Sequence, residues 1–126
     1  MNPKDSLKLL AGSAVLLGLC ACASPQKAPA TAEVAVSQNA VENAVQAGAG
    51  ELAPDDITRA REKMLKANQA LQAKDYKLAR DLAVQAEADA KLAQSKANSA
   101  KATAAANALD ADLRALRQEV DRANSQ

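Results

Sequence analysis

The chain contains no phenylalanine, tryptophan or histidine and a single tyrosine. Aromatic side chains bury about 150–250 Å² each and dominate ordinary cores, so any core here is built from smaller aliphatic groups. The lack of histidine removes the side chain that most often serves as a general base or metal ligand near neutral pH. Cysteine is scarce as well: Cys20 and Cys22, two residues apart, are badly placed for an internal disulfide and too few for a zinc site. Strand-forming residues are too sparse for a sheet. Neither sign of charge is in excess, with 16 Lys plus Arg against 15 Asp plus Glu, which argues against a nucleic-acid binder with its concentrated basic face.

What is abundant is alanine and the other helix formers, the composition of a coiled coil or a long helical hairpin. Tyr76, Ala79, Ala83, Ala86, Ala90, Ala93, Ala97, Ala100 and Ala104 recur with alternating spacings of three and four. Such a period keeps one helix face turned toward a partner helix. Because alanine carries no large side chain, a second backbone can approach closely, and it also has the best helix propensity.

The N-terminal stretch reads as an export signal. Residues 1–8 are polar with Lys4 and Lys8, and residues 9–19 are an apolar run of signal-peptide length, too short to span a bilayer. The following Leu19-Cys20-Ala21-Cys22 resembles the bacterial lipobox, with a leucine three before and a small residue just before the cysteine. Cys22 fits that pattern and Cys20, preceded by Leu19, does not. The resemblance implies a signal peptide over residues 1–21, cleavage before Cys22, and a covalent diacylglycerol and N-acyl chain such as palmitate on Cys22. More than one acyl chain makes anchoring stable, since each buried CH₂ contributes about 0.8 kcal/mol. The lipobox pattern of Gram-negative bacteria, with Ala23 and Ser24 rather than aspartate after the cysteine, implies the periplasmic face of the outer membrane. With Lys4, Lys8 and Asp5 gone, the two signs of charge are equal.

Residues 22–30, with Pro25 and Pro29, read as anchor and flexible tether, and residues 31–126 as the folded part. Thr31 is the expected N-cap of a first helix, with Glu33 in its first turn. Val34, Val41 and Val45 form its apolar face, flanked by Ala40, Ala44 and Ala47, and it ends at Gly48 and Gly50. Pro54-Asp55-Asp56 opens a second helix with the stripe Ile57, Ala60, Met64, Ala67 and Leu71, and with Glu62 and Lys66 as an i,i+4 pair. Lys74 and Asp75 make a turn, Asp75 capping a third helix, and so short a connection makes the second and third helices antiparallel. Tyr76 is expected to close the open end of this stripe. The expected fold is all-α: an antiparallel helical hairpin with an additional N-terminal helix and a long, overhanging, coiled-coil-like C-terminal helix. That third helix extends about 70 Å against about 30 Å for its partner at 1.5 Å per residue. Over the extension, about residues 105–123, the apolar phase shifts to Leu109, Leu113, Leu116 and Val120, an interaction seam for another chain.

Glu51 to Asp56, Ala60-Arg61-Glu62-Lys63, residues 73–80 (Ala-Lys-Asp-Tyr-Lys-Leu-Ala-Arg) and residues 85–90 (Gln-Ala-Glu-Ala-Asp-Ala) resemble the bacterial envelope domain of unknown function DUF4398, over most of residues 31–108. In that family the domain often follows a lipoprotein signal. Catalytic constellations are not found: Ser95, Ser99 and Thr103 have no activating partner, and Glu87 with Asp89, or Asp110 with Asp112, read as solvated surface. No cofactor or metal is expected. The function expected is that of a non-enzymatic envelope lipoprotein, a membrane-anchored helical scaffold that binds itself or an envelope protein. The alternative is a periplasmic ligand carrier or chaperone-like module, which calls for an apolar pocket or a broad face rich in aromatic residues or methionine.

Overall fold

The computed structural model describes residues 25–126, so Cys20, Cys22 and the signal segment lie outside the described residues. Four helices follow in order: α1 (Lys27–Gln46), α2 (Ala49–Leu52), α3 (Pro54–Gln72) and α4 (Tyr76–Asn124). The all-α class and the long C-terminal helix are as expected. Past Pro54 the sequence has neither glycine nor proline, so no residue there removes a helical hydrogen bond or loosens the backbone. Among the described residues no helix is long and apolar enough to cross a membrane.

The hairpin is built by its turn. Pro54 sits in the first turn of α3, where its missing N–H costs nothing, with Asp55 and Asp56 beside it. At the other end the Asp75 N–H donates to the Ala70 carbonyl at 2.9 Å and the Lys74 N–H to the Leu71 carbonyl at 3.1 Å, the paired bonds of a Schellman cap. Lys74 takes the left-handed position at φ 64°, where glycine is more usual. Asp75 then caps α4, its Oδ1 accepting from the Leu78 N–H at 3.1 Å. Three residues, Ala73, Lys74 and Asp75, thus stop one helix, reverse the chain and start the next.

Packing centres on the alanine stripe of α4, where Ala79, Ala83, Ala86, Ala90, Ala93 and Ala97 are all 0% exposed. From α3, Met64, Ala67 and Ala70 meet the Ala79–Ala86 half of the stripe, and Ile57 and Ala60 meet the Ala90–Ala97 half. On α1, Val34 joins the first group and Ala44 the second. Hence α1 runs parallel to α4 and antiparallel to α3, and both pack on one stripe of methyl groups. Gly48, at φ 84°, ends α1 and opens the single turn α2; a side chain there would meet Lys101 Nζ at 3.3 Å. Ala49 and Ala53, both buried, seat this connection on the Ala90–Ala97 end.

The structure corrects several boundaries and faces. α1 begins at Lys27, not near residue 32, so residues 27–30 of the expected tether are helical. Pro29 is compatible because the first four N–H groups of a helix lack internal partners anyway, and Ala30 is fully buried. Thr31 is therefore no N-cap; its Oγ1 donates to the Lys27 carbonyl at 3.0 Å. The buried positions of α1 are Ala30, Val34, Ser37 and Ala44, with Val41 half-buried, while Val45 is 39% exposed. Strict heptad spacing outranked side-chain size on that face, and Ser37 is tolerated because its Oγ donates to the Glu33 carbonyl at 2.9 Å. Beside the hairpin turn Ala70 takes the core position and Leu71 is only half-buried, since helices held so close admit a methyl. Gly50 is helical and does not end α1. Burial on α4 fades at Ala100 and is lost at Ala104.

Overpacking a close contact of this kind costs about 1–3 kcal/mol. Ala86→Leu is expected to lower the thermal midpoint by several degrees, because about 1 kcal/mol moves a domain of this size by roughly 4–8 °C. Ala88→Leu, on the exposed side of the same turn, is expected to leave it nearly unchanged. Equal shifts in paired calorimetric scans would contradict the packing.

Candidate interaction surface

Two groups of residues carry possible chemistry: the charges between α3 and α4, and the apolar seam past the bundle. Asp56 is 3% exposed. Its Oδ2 accepts from Lys96 Nζ of α4 at 2.6 Å, and its Oδ1 accepts from Arg59 one turn along α3. The hydrogen bond from Lys96 holds the Asp56 carboxyl below its ordinary value; burial opposes this, and the charges of Lys96 and then Arg59 reinforce it. One heptad on along α3, Lys63 Nζ lies 2.7 Å from Asp89 Oδ2, one heptad back along α4. Asp89 is thus a bridging residue with a side chain only 17% exposed, not the solvated surface its spacing from Glu87 suggests. Glu87 itself pairs with Lys91 on α4 at 2.5 Å. The expected Glu62–Lys66 pair is not among the ion pairs of the described residues; the cross-helix bridge at Lys63 forms instead. On the surface, Asp81 accepts from Lys77 at 2.8 Å and raises its pKa, an exposed pair that adds little to stability. These acids and bases are tied to each other, and what the arrangement does chemically is fix how α3 lies along α4.

The seam is different in kind. From Lys101 onward every residue of α4 is exposed, an overhang of about 35 Å at 1.5 Å per residue. Leu109, Leu113, Leu116 and Val120 are 61%, 41%, 62% and 57% exposed. Leu113, Leu116, Arg117, Val120 and Asp121 line a shallow groove of about 310 Å³. At about 100° per residue the seam lies roughly 130° around α4 from the alanine stripe, so it faces away from α1 and α3.

The packing residues expected from the sequence are brought together: Ile57 and Met64 are 1% and 5% exposed, and Ala79, Ala83, Ala86, Ala90 and Ala93 are sealed. Tyr76 is half-buried beside the α3–α4 turn, the closed end of the hairpin and not an open one, and lines a hollow of about 290 Å³ with Gln26, Lys77, Arg80 and Asp81. That hollow places the start of α1 beside the start of α4. The roles of Lys96 and Asp89 were not foreseen, although an antiparallel register counted back from the turn brings both opposite Asp56 and Lys63. Ala102, Ala106 and Ala123 were missed as continuations of the seam, yet they prolong its alternation of four and three in both directions. Elsewhere, an open groove of about 540 Å³ between α1 and α3 has Val41, Val45 and Met64 among polar side chains.

An alanine-lined hairpin with a third helix on the same stripe and a leucine-bearing overhang defines an all-α helical domain. Residues 32–109 match the domain of unknown function DUF4398, and the chain belongs to that family. No curated protein and no solved structure matches the chain.

A carboxylate whose folded pKa is depressed contributes stability that is present above its unfolded value and lost as pH falls through the folded one. For Asp56 that unfolded value is near 3.8. The difference in melting midpoint between the native chain and Asp56→Asn is expected to stay constant from neutral pH to about 5 and to close below about 4. A difference that stays the same down to about pH 2, followed by circular dichroism, would contradict a bridging carboxylate.

Proposed function

We propose that the chain is a non-enzymatic lipoprotein of the bacterial envelope, anchored through acylated Cys22 to the periplasmic face of the outer membrane and acting as a scaffold. The observation that carries the scaffold reading is the exposed seam of Leu109, Leu113, Leu116 and Val120 on an overhang that the chain's own bundle leaves uncovered. Four large apolar groups in register on one helix face are the pattern by which a helix engages another chain. The anchor reading is supported by the signal-length apolar run and the lipobox-like residues 19–22.

The two ends fit this reading together. α1 starts beside Tyr76, whereas the seam begins about 50 Å further along α4 at 1.5 Å per residue. The rod thus has an anchor end and an opposite, protein-binding end, separated by the sealed bundle. A ligand-carrier role would use the groove between α1 and α3, which is of sufficient volume but open along its length, whereas ligand sites bury most of their ligand's surface.

Membrane fractionation with mass spectrometry of the N-terminal peptide tests the anchor. The native chain is expected in the outer-membrane fraction with an acylated Cys22, globomycin is expected to accumulate the uncleaved precursor, and Cys22→Ala is expected to remain unprocessed. An unmodified Cys22 in a soluble, cleaved protein would overturn it.

A further inference from the structure

The seam is longer than its four large residues. Ala102, Ala106, Leu109, Leu113, Leu116, Val120 and Ala123 follow one another at spacings that alternate strictly between four and three. All seven are exposed on one uninterrupted helix. In heptad terms Ala106, Leu113 and Val120 are a positions, and Ala102, Leu109, Leu116 and Ala123 are d positions. That makes three heptads, the length at which a coiled-coil pattern becomes informative. Leucine at the central d positions with valine at one a position is the preference of two-stranded parallel coils.

The charges beside the seam choose the partner and its direction. The g positions are Ala105, Asp112 and Glu119, and the e positions are Asp110, Arg117 and Asn124. In a parallel pair each g residue faces the e residue five further along in the other helix. Asp112 then meets Arg117 of the second copy, twice by symmetry, while Glu119 meets Asn124 and Ala105 meets Asp110. No like charges meet. In an antiparallel pair g faces g and e faces e, so attraction between Asp110 and Arg117 is opposed by repulsion between the acids Asp112 and Glu119, and only the parallel pair keeps its attraction unopposed. Among the described residues neither Asp112 nor Arg117 has an ion-pair partner within 4.0 Å in its own chain, whereas Glu119 is held by Arg122 at 2.7 Å. The two groups required across the interface are thus not tied up within their own helix.

We propose that residues 102–123 form a parallel, in-register coiled coil with a second copy of this chain, aligned by Asp112 of each copy against Arg117 of the other. The proposal rests on the reading of the seam as an interaction surface and names its partner. The position of the seam allows it, since α1 and α3 pack about 130° around α4 and do not stand between the two helices. A parallel pair also places both N-terminal ends on the same side, the arrangement that two anchors in a single membrane require.

Disulfide trapping in the full chain tests this. Leu116→Cys is expected to give a reducible band of twice the chain mass when lysates are oxidised, at least about tenfold above the native chain and above Arg114→Cys, whose side chain points outward in the heptad. In the Leu116→Cys chain, Arg117→Asp alone and Asp112→Arg alone are each expected to lower the band roughly tenfold, because two attractive contacts become repulsive. Co-expressing the two charge variants is expected to restore it, since each then meets its opposite. Both substitutions are at exposed positions, and unchanged helicity and melting midpoint confirm that the bundle is intact. A Leu116→Cys band at background level, as an antiparallel pair predicts because Leu116 then lies opposite Leu113, or trapping of a different protein in place of the homodimer would each overturn the proposal. Scoring both membrane and soluble fractions separates the two readings: a monomer in the membrane refutes the pair alone, and a trapped dimer in the soluble fraction refutes the anchor alone.

Discussion

The close approach of three helices over one stripe of alanine methyls is the constraint on which the rest of this fold depends. Each buried methyl contributes about 0.8 kcal/mol, where a buried leucine contributes about 1.5–3, so the contact is thin as well as close. Its small side chains let α1 and α3 share a single face of α4, and the largest fully sealed side chains are only Ile57 and Ser37. A stripe of identical residues has a further consequence. It does not encode its own axial register, because a slip of one heptad replaces Ala83 by Ala90 at no cost in fit.

Register therefore comes from residues at the rim. Asp56 with Lys96 and Lys63 with Asp89 lie one heptad apart on both helices and carry opposite polarity. A slip of α3 by one heptad in one direction sets Asp56 against Asp89; a slip in the other sets Lys63 against Lys96. Either brings like charges together in a partly buried place, where the interaction is stronger than in open water. The Schellman cap at Lys74 acts in the same sense, since the left-handed lysine and the Asp75 cap leave no slack between the helices. An isolated surface ion pair contributes little. A pair of ion pairs arranged against the two available errors contributes specificity.

How much of this is legible in the sequence varies with where the information lies. The turn at Lys74 and Asp75 and the start at Pro54 are local, each written in two or three residues whose backbone preferences point one way. The alanine stripe is legible because its period is unbroken through Ala97. The face of α1 is legible only in part: Val34, Val41 and Ala44 lie on the inner row as their spacing suggests, whereas Val45 is exposed and Ala30 and Ser37 complete the row. Only the neighbouring helix makes small residues the better fit there. The start of α1 is hidden in the same way, because Pro29 reads as a tether residue until Ala30 is seen sealed in the core. Lys96 and Asp89 become partners only when the two helices are laid antiparallel, so the bridges are properties of the register. On the overhang the four large seam residues are visible from spacing alone, while the alanines that extend them take their meaning from being exposed on a continuous helix.

The long helix thus carries two apolar rows of opposite character. The inner row is small, sealed and satisfied within the bundle; the outer row is large, exposed and covered by none of the described residues. Small residues suit a contact made once, on folding, between segments joined by short connections, because little apolar gain is needed when the turn already holds the helices together. A contact between separate molecules has to offset lost translational and rotational freedom, and the leucines lie where that larger gain is required. Placing the outer row on an overhang of about 35 Å, past the end of the bundle, would let the proposed second contact form without disturbing the first. The distribution of side-chain size along α4 is the physical reason for reading its tip, rather than its bundle, as the working end of the molecule.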